Sequence, residues 1–297
     1  MEGILNVSLG ILIIFISSYL YVNSAEYLAS KFKISREYLA SVISPLFTSV
    51  PELITVLIAI IVISGNPGRE EALGTVFGDV YITILLFLPL LLFIFKKRSD
   101  HDFKFLIFSI TLLISLFFLI NRIITGIILI LAYFYFNYYV LKNKKGEMEN
   151  YSIPVFNRIF GNDKSVYFQI IVSFTGIYLG SYFLLNGIVE LSNTLKMDTL
   201  ILSIFLIPLG TALPEILISI IWSVKGHVGM GIDNLIGESI IYSTVYLGVF
   251  SIFNLYFINS RIIYLITSLS FFSMIIFTRI RYLLIIGPVM FFLLIFL

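Results

Sequence analysis

Ile207-Pro-Leu-Gly-Thr-Ala-Leu-Pro-Glu215 lies residue for residue on Ser44-Pro-Leu-Phe-Thr-Ser-Val-Pro-Glu52, with Pro45, Leu46, Thr48, Pro51 and Glu52 matching Pro208, Leu209, Thr211, Pro214 and Glu215. Five identities in nine, including a Pro-Glu pair set inside an apolar run, mark a tandem repeat. A proline removes one backbone hydrogen bond and kinks or breaks its helix, so each copy sets freed carbonyls beside a carboxylate and a hydroxyl. Oxygen from Glu, Thr and unwound backbone is the ligand set of a hard cation such as Ca²⁺ or Na⁺.

Around these stretches the 297-residue chain is 59% hydrophobic and 12% charged, with a mean hydropathy of +1.05. A water-soluble core of this size cannot hide so much apolar surface, so lipid must act as solvent, and a soluble enzyme is excluded. A net charge of +2 without a long basic block leaves no footprint for nucleic acid. No obligate protein partner is evident, so the expected partners are the bilayer and inorganic cations. The absence of cysteine removes disulfides, thiolate metal sites and iron–sulfur clusters. Met1 to Leu20 has an acid, Glu2, where a signal peptide carries bases, and reads as a retained first span.

Apolar runs predict an all-α polytopic membrane protein with ten transmembrane helices, at roughly 4–25, 36–63, 73–95, 103–120, 123–141, 166–192, 199–224, 233–257, 261–278 and 282–297. The longest polar stretch divides five spans from five. This gives a first five-helix repeat over 1–141, a cytoplasmic linker over 142–165 and a second repeat over 166–297. Of the 19 Lys and Arg, fifteen fall in the odd-numbered loops and four, Arg69, Arg122, Lys196 and Arg261, in the even ones. The positive-inside rule then puts the odd loops in the cytoplasm and both termini outside the cell membrane. Because each half has an odd number of spans, the second copy enters from the opposite side. That is the inverted repeat of secondary transporters, with broken helices 2 and 7 and a site at the midplane.

Most of the 17 acids, Glu26 and Glu37 among them, lie in loops or at span ends and read as solvated or interfacial charges. Asp233 reads as a cap at the mouth of span 8. Four acids remain: Glu52, Asp79, Glu215 and Glu238. Glu52 and Glu215 lie mid-span with no base near them in their helices, where an unpartnered acid costs several kcal/mol. Asp79 follows Gly74-Thr-Val-Phe-Gly78 and Glu238 follows Asp233-Asn-Leu-Ile-Gly237, so both halves place an acid directly after a glycine in the equivalent span. An acid near a helix N-terminus, stabilised by the dipole, is the ordinary alternative for this pair. His101 and His227, far apart in loops, do not make a zinc site, and no Gly-rich phosphate loop offers ATP drive.

These motifs resemble those of the calcium/cation antiporter superfamily, and within it the compact prokaryotic sodium/calcium exchangers. Gly210-Thr-Ala-Leu-Pro-Glu215 and Phe47-Thr-Ser-Val-Pro-Glu52 look like the family's Gly-Thr-Ser-x-Pro-Glu signature, while Asn234-Leu-Ile-Gly237 and Gly74-Thr-Val-Phe-Gly78 look like its Gly-Asn-x-x-Gly-Ser. The resemblance implies ten helices in two inverted halves. It makes Glu52 and Glu215 the principal ligands, with hydroxyls from Thr48, Ser49 and Thr211 and carbonyls near Pro45 and Pro208. The chain also departs from the pattern. Phe47 replaces a glycine, Ala212 replaces a serine, Asp79 and Glu238 stand where the family has serine ligands, and Thr83 and Tyr242 stand where it has Asn or Asp. Positions four apart share a helix face, so each carboxylate has in effect moved one turn, about 5.4 Å along the axis.

The expected activity is secondary-active sodium/calcium exchange by alternating access, without a cofactor, as peripheral helices 1 and 6 move past the site. Four ionised acids with one Ca²⁺ would leave two uncompensated charges, so at least one carboxyl is expected to hold a proton. This keeps Ca²⁺/H⁺ antiport, or that of another divalent cation, as one alternative, and a degenerate ion-binding homologue that no longer transports as another. A channel lacks its filter, and an intramembrane enzyme lacks a nucleophile or metal-binding histidine in the spans.

Overall fold

The structure is a computed structural model that describes residues 2–49, 76–95, 102–115, 122–143, 153–195, 212–253, 260–277 and 281–293, and every regular element among them is helical. Helix α1 (Glu2–Lys31) is thirty residues without a proline, with Glu2 in its first turn and Lys31 in its last, which suits the helix dipole at both ends. The chain then reverses through Lys33 at φ 54°. Ser35 caps α2 by accepting the Tyr38 N–H at 3.2 Å. Helix α2 (36–48) is irregular. After Arg36–Tyr38 it widens into a π-helical turn at Leu39–Ile43, then continues as Ser44–Thr48 with Pro45 in that segment's first turn.

Helix α3 (Val76–Phe95) carries a π-turn at Thr83–Phe87. It is followed by α4 (Asp102–Ser115) and α5 (Arg122–Lys142). A short helix, Val155–Phe160, ends at Gly161, whose φ of 63° is the left-handed geometry that stops a helix. Helix α6 (Ser165–Leu195) comes next, followed by α7 (Leu213–Val224) and α8 (Val228–Ile252), the latter with a π-turn at Tyr242–Tyr246. Helix α9 (Ser260–Phe277) and α10 (Ile286–Leu293), entered through a 3-10 turn at Arg281–Ile285, complete the described chain.

Five of these helices are long and apolar enough to cross a membrane, and they divide into two layers. In α8 and α3, 83% and 72% of the apolar window is buried, against 28% in α1 and 29% in α6. The central helices are therefore α3 and α8, while α1 and α6 present Leu12, Phe15, Phe168 and Ile171 outward, as a lipid-solvated face should. Helices α1 and α6 run side by side and antiparallel: Gly10 meets Gly180 and Gly3 meets Gly187. A Cβ on Gly10 would lie 2.7 Å from the Gly180 carbonyl oxygen, so backbone packs on backbone here.

Helix α8 packs against α2, α3, α4, α5 and α7, and α9 lies on α4. Two peripheral crossings are alike: α5 meets α8 with Gly126 against Gly248, and α10 meets α3 with Gly287 against Leu85. Ser251 seals the first by donating to the Arg122 carbonyl at 2.8 Å, and Tyr81 seals the second through the Met290 carbonyl at 2.6 Å.

Three acids differ from their expected settings. Asp233 lies inside α8, whose N-cap is His227, and it is buried against Lys104 rather than capping a helix start. Glu37 is only 12% exposed at its side chain and pairs with the same lysine. Glu26 is buried and paired with Lys225 at 2.8 Å. In each case tertiary packing brings a base from a distant helix or turn onto an acid that its own sequence neighbourhood leaves alone.

Candidate cation site between α2, α7 and α8

Glu215 is the third residue of α7, directly after Pro214, and it is fully buried. The proline spends no N–H in a turn whose amides have no helical partner, and a carboxylate here sits at the positive end of the dipole. Ala212, the residue that replaces a family serine, is the N-cap and provides no side-chain cap. The Glu215 carbonyl accepts from Asn234 Nδ2 at 3.2 Å, and the same amide reaches Ser219 Oγ at 3.0 Å. Asn234 thus ties α8 to the first turns of α7.

Thr48 ends α2 facing Glu215. Its hydroxyl donates to the Ser44 carbonyl at 3.0 Å. Neither Glu215 oxygen receives a hydrogen bond among the described residues. A fully buried carboxylate without a donor is expensive, and a cation or a proton is what relieves it. Tyr21 of α1 stands beside Ser44 and within electrostatic reach of Glu215, which brings the peripheral pair up to the site.

Ser49 is buried, with a ψ of 3° where α2 stops. Its carbonyl accepts the Tyr246 hydroxyl at 2.8 Å, and Tyr246 packs against Tyr242 with ring centroids 4.7 Å apart. Pro45, Asp79, Thr83, Glu238 and Tyr242 are all buried in α2, α3 and α8. Among the described residues no three His, Asp or Glu side chains gather closely enough to hold one ion, so Glu215, Asp79 and Glu238 form no cage by themselves. Glu52, Pro208 and Thr211 lie outside the described residues.

The π-turns of α3 and α8 begin at Thr83 and Tyr242, each four residues after its acid, Asp79 or Glu238. Both acids therefore hold the same register relative to an irregular turn, a kind of turn that is frequent at functional sites. Gly237 presses on the backbone of Ser41 in the α2 π-turn, and a Cβ there would collide with the Ser41 carbonyl. Here α2 and α8 touch backbone to backbone beside Glu238. Sequence reasoning missed Tyr21 and Tyr246, whose only signal was a phenol inside an apolar span. It also missed the role of Asn234, although that residue stood in a quoted motif.

Comparison with known proteins gives matches along nearly the whole chain. The family model described as "Sodium/calcium exchanger protein" matches residues 3–142 and 165–297. An uncharacterized membrane protein of Methanocaldococcus jannaschii is 23% identical over 239 residues, covering 78% of this chain and 76% of its own. The solved sodium/calcium exchanger from Methanococcus jannaschii matches with a TM-score of 0.73 at 19% identity, over 100% of this chain and 97% of that one. The exchanger NCX_Mj soaked with zero Na⁺ and Ca²⁺ gives 0.75 at 19% identity, over 99% and 98% of the two chains. Since the family model spans nearly the whole chain, the chain belongs to the sodium/calcium exchanger protein family, helical ion transporters of the membrane.

Proposed function

We propose that the chain exchanges Na⁺ for Ca²⁺ by alternating access at a midplane site between two inverted five-helix halves. The observation that carries the reading is the Glu215 carboxylate, fully buried at the start of α7, facing Thr48 and without a hydrogen-bond donor among the described residues. In this reading Glu52 and Glu215 are the principal ligands. Thr48, Ser49 and Thr211 add hydroxyls, the carbonyls near Pro45 and Pro208 complete the shell, and Asp79, Glu238, Thr83 and Tyr242 line its α3 and α8 sides. Asn234 holds Glu215 in place through its carbonyl. Competition of Ca²⁺ and Na⁺ for the same carboxylates couples their movement, and the empty charged site resists crossing.

Several features support the inverted repeat. The π-turns share a register, and the α5–α8 and α10–α3 crossings are alike. The α1–α6 pair is antiparallel, and the family model matches in two segments. The uneven distribution of Lys and Arg supports odd loops in the cytoplasm and both termini outside. The smooth α1–α6 seam suits a pair that moves as a unit past the central helices.

The test is uptake of radioactive Ca²⁺ into proteoliposomes loaded with Na⁺, for wild type and for Glu215→Gln. Uptake is expected to require internal Na⁺ and to vanish in the variant. Uptake driven by a proton gradient alone would replace this reading with cation/proton antiport, and no uptake under either gradient would leave a homologue that has lost transport.

A further inference from the structure

The proposed cation site makes no use of one buried charge. Lys104, the third residue of α4, is 1% exposed. Its Nζ donates to the Ser41 hydroxyl at 2.8 Å, lies 3.1 Å from the Glu37 carboxylate and pairs with Asp233. The ammonium thus reaches from α4 into oxygens supplied by α2 on one side and by α8 on the other. Two of these partners adjoin the seam already described. Ser41 presents its carbonyl to Gly237, and Asp233 directly precedes Asn234, which holds the Glu215 carbonyl.

Stability alone is a poor account of such a cluster. Desolvation offsets most of the Coulombic gain of a buried ion pair, and an apolar replacement of all partners is often neutral. Its geometric content is greater. A lysine stem ends in three donors of tetrahedral spread, here directed at three oxygens on two helices, so the separation of those helices is tied to the length of one side chain.

We propose that Lys104 is a positioning residue for cation transport: its ammonium fills an oxygen-lined seat between α2 and α8 and fixes the spacing at which these helices hold Thr48, Glu215 and Glu238. The inference builds on the exchange reading above. Because this cation is tethered, it cannot leave with the transported ions, and the α2–α8 seam stays closed while Na⁺ and Ca²⁺ come and go.

The test compares the intact chain with Lys104→Met, Lys104→Arg and the neutral triple variant Glu37→Gln, Lys104→Met, Asp233→Asn. Deuterium uptake over 36–49 and 228–241 reads the seam without any need for transport. Thermal unfolding reads stability, and Na⁺-driven Ca²⁺ uptake reads the half-saturating Ca²⁺. Lys104→Met is expected to speed deuterium uptake in both segments and to raise half-saturating Ca²⁺ about tenfold or more, as loss of a supporting contact does at metal sites. The triple variant is expected to regain thermal stability, since no charge is stranded, but to keep the loose seam and the weak Ca²⁺ response. Lys104→Arg should recover part of both.

A triple variant with wild-type seam protection and Ca²⁺ response would overturn the proposal, as would normal protection in Lys104→Met. If Lys104→Met does not fold, the triple variant decides alone. A wild type without Na⁺-driven uptake would refute the exchange reading, and the deuterium result would still decide the role of Lys104.

Discussion

At the residue scale, the site combines side chains that sequence could single out with others it could not. Glu215 stood out because an acid after a proline in an apolar run has few ordinary uses, and the structure buries it beside Thr48 without a donor among the described residues. The contact of Gly237 with the Ser41 backbone has a direct consequence. Gly237→Ala would drive a methyl into a backbone carbonyl that cannot swing away. The expected cost is about 2 kcal/mol or more, read by thermal unfolding in detergent, with weaker Ca²⁺ binding by titration. Lys104 was illegible for a plain reason. Its partners Ser41 and Asp233 are 63 and 129 positions away, and from the sequence it counts only as a loop base before span 4.

At the element scale, hydropathy located the long apolar helices among the described residues, because length and apolar content act locally. The π-turns were not legible. They arise where close packing against neighbouring helices admits an extra residue, and no residue type announces them. Two of them nonetheless start at Thr83 and Tyr242, each four residues after an acid. The α1–α6 seam gives a prediction of its own. Gly10→Ala places a methyl 2.7 Å from both the Gly180 carbonyl and the Leu184 backbone nitrogen, which pries the pair apart without touching a proposed ligand. Maximal uptake rate is expected to fall several-fold while half-saturating Ca²⁺ stays near wild type. An equal change in both would place the effect at the site instead.

At the scale of the whole molecule, central α3 and α8 are enclosed by neighbours while α1 and α6 stand on the lipid side, an arrangement that composition implied only as a need for lipid. Which helix is central could not be read from hydropathy, since core and lipid are both apolar. The layers meet at Trp222, the only tryptophan in the chain, fully buried among Tyr21 and Ala25 of α1, Ile177 of α6, Ile218 of α7 and Met230 of α8. Its indole Nε1 has no hydrogen-bond partner among the described residues, so its light emission should lie toward the blue end of the tryptophan range. A movement of α1 and α6 past α7 would change that enclosure. Adding Ca²⁺ to the detergent-purified protein should therefore shift or quench the emission in wild type and leave it unchanged in Glu215→Gln. The chain would then carry its own optical gauge of the transport cycle, with no dye to attach.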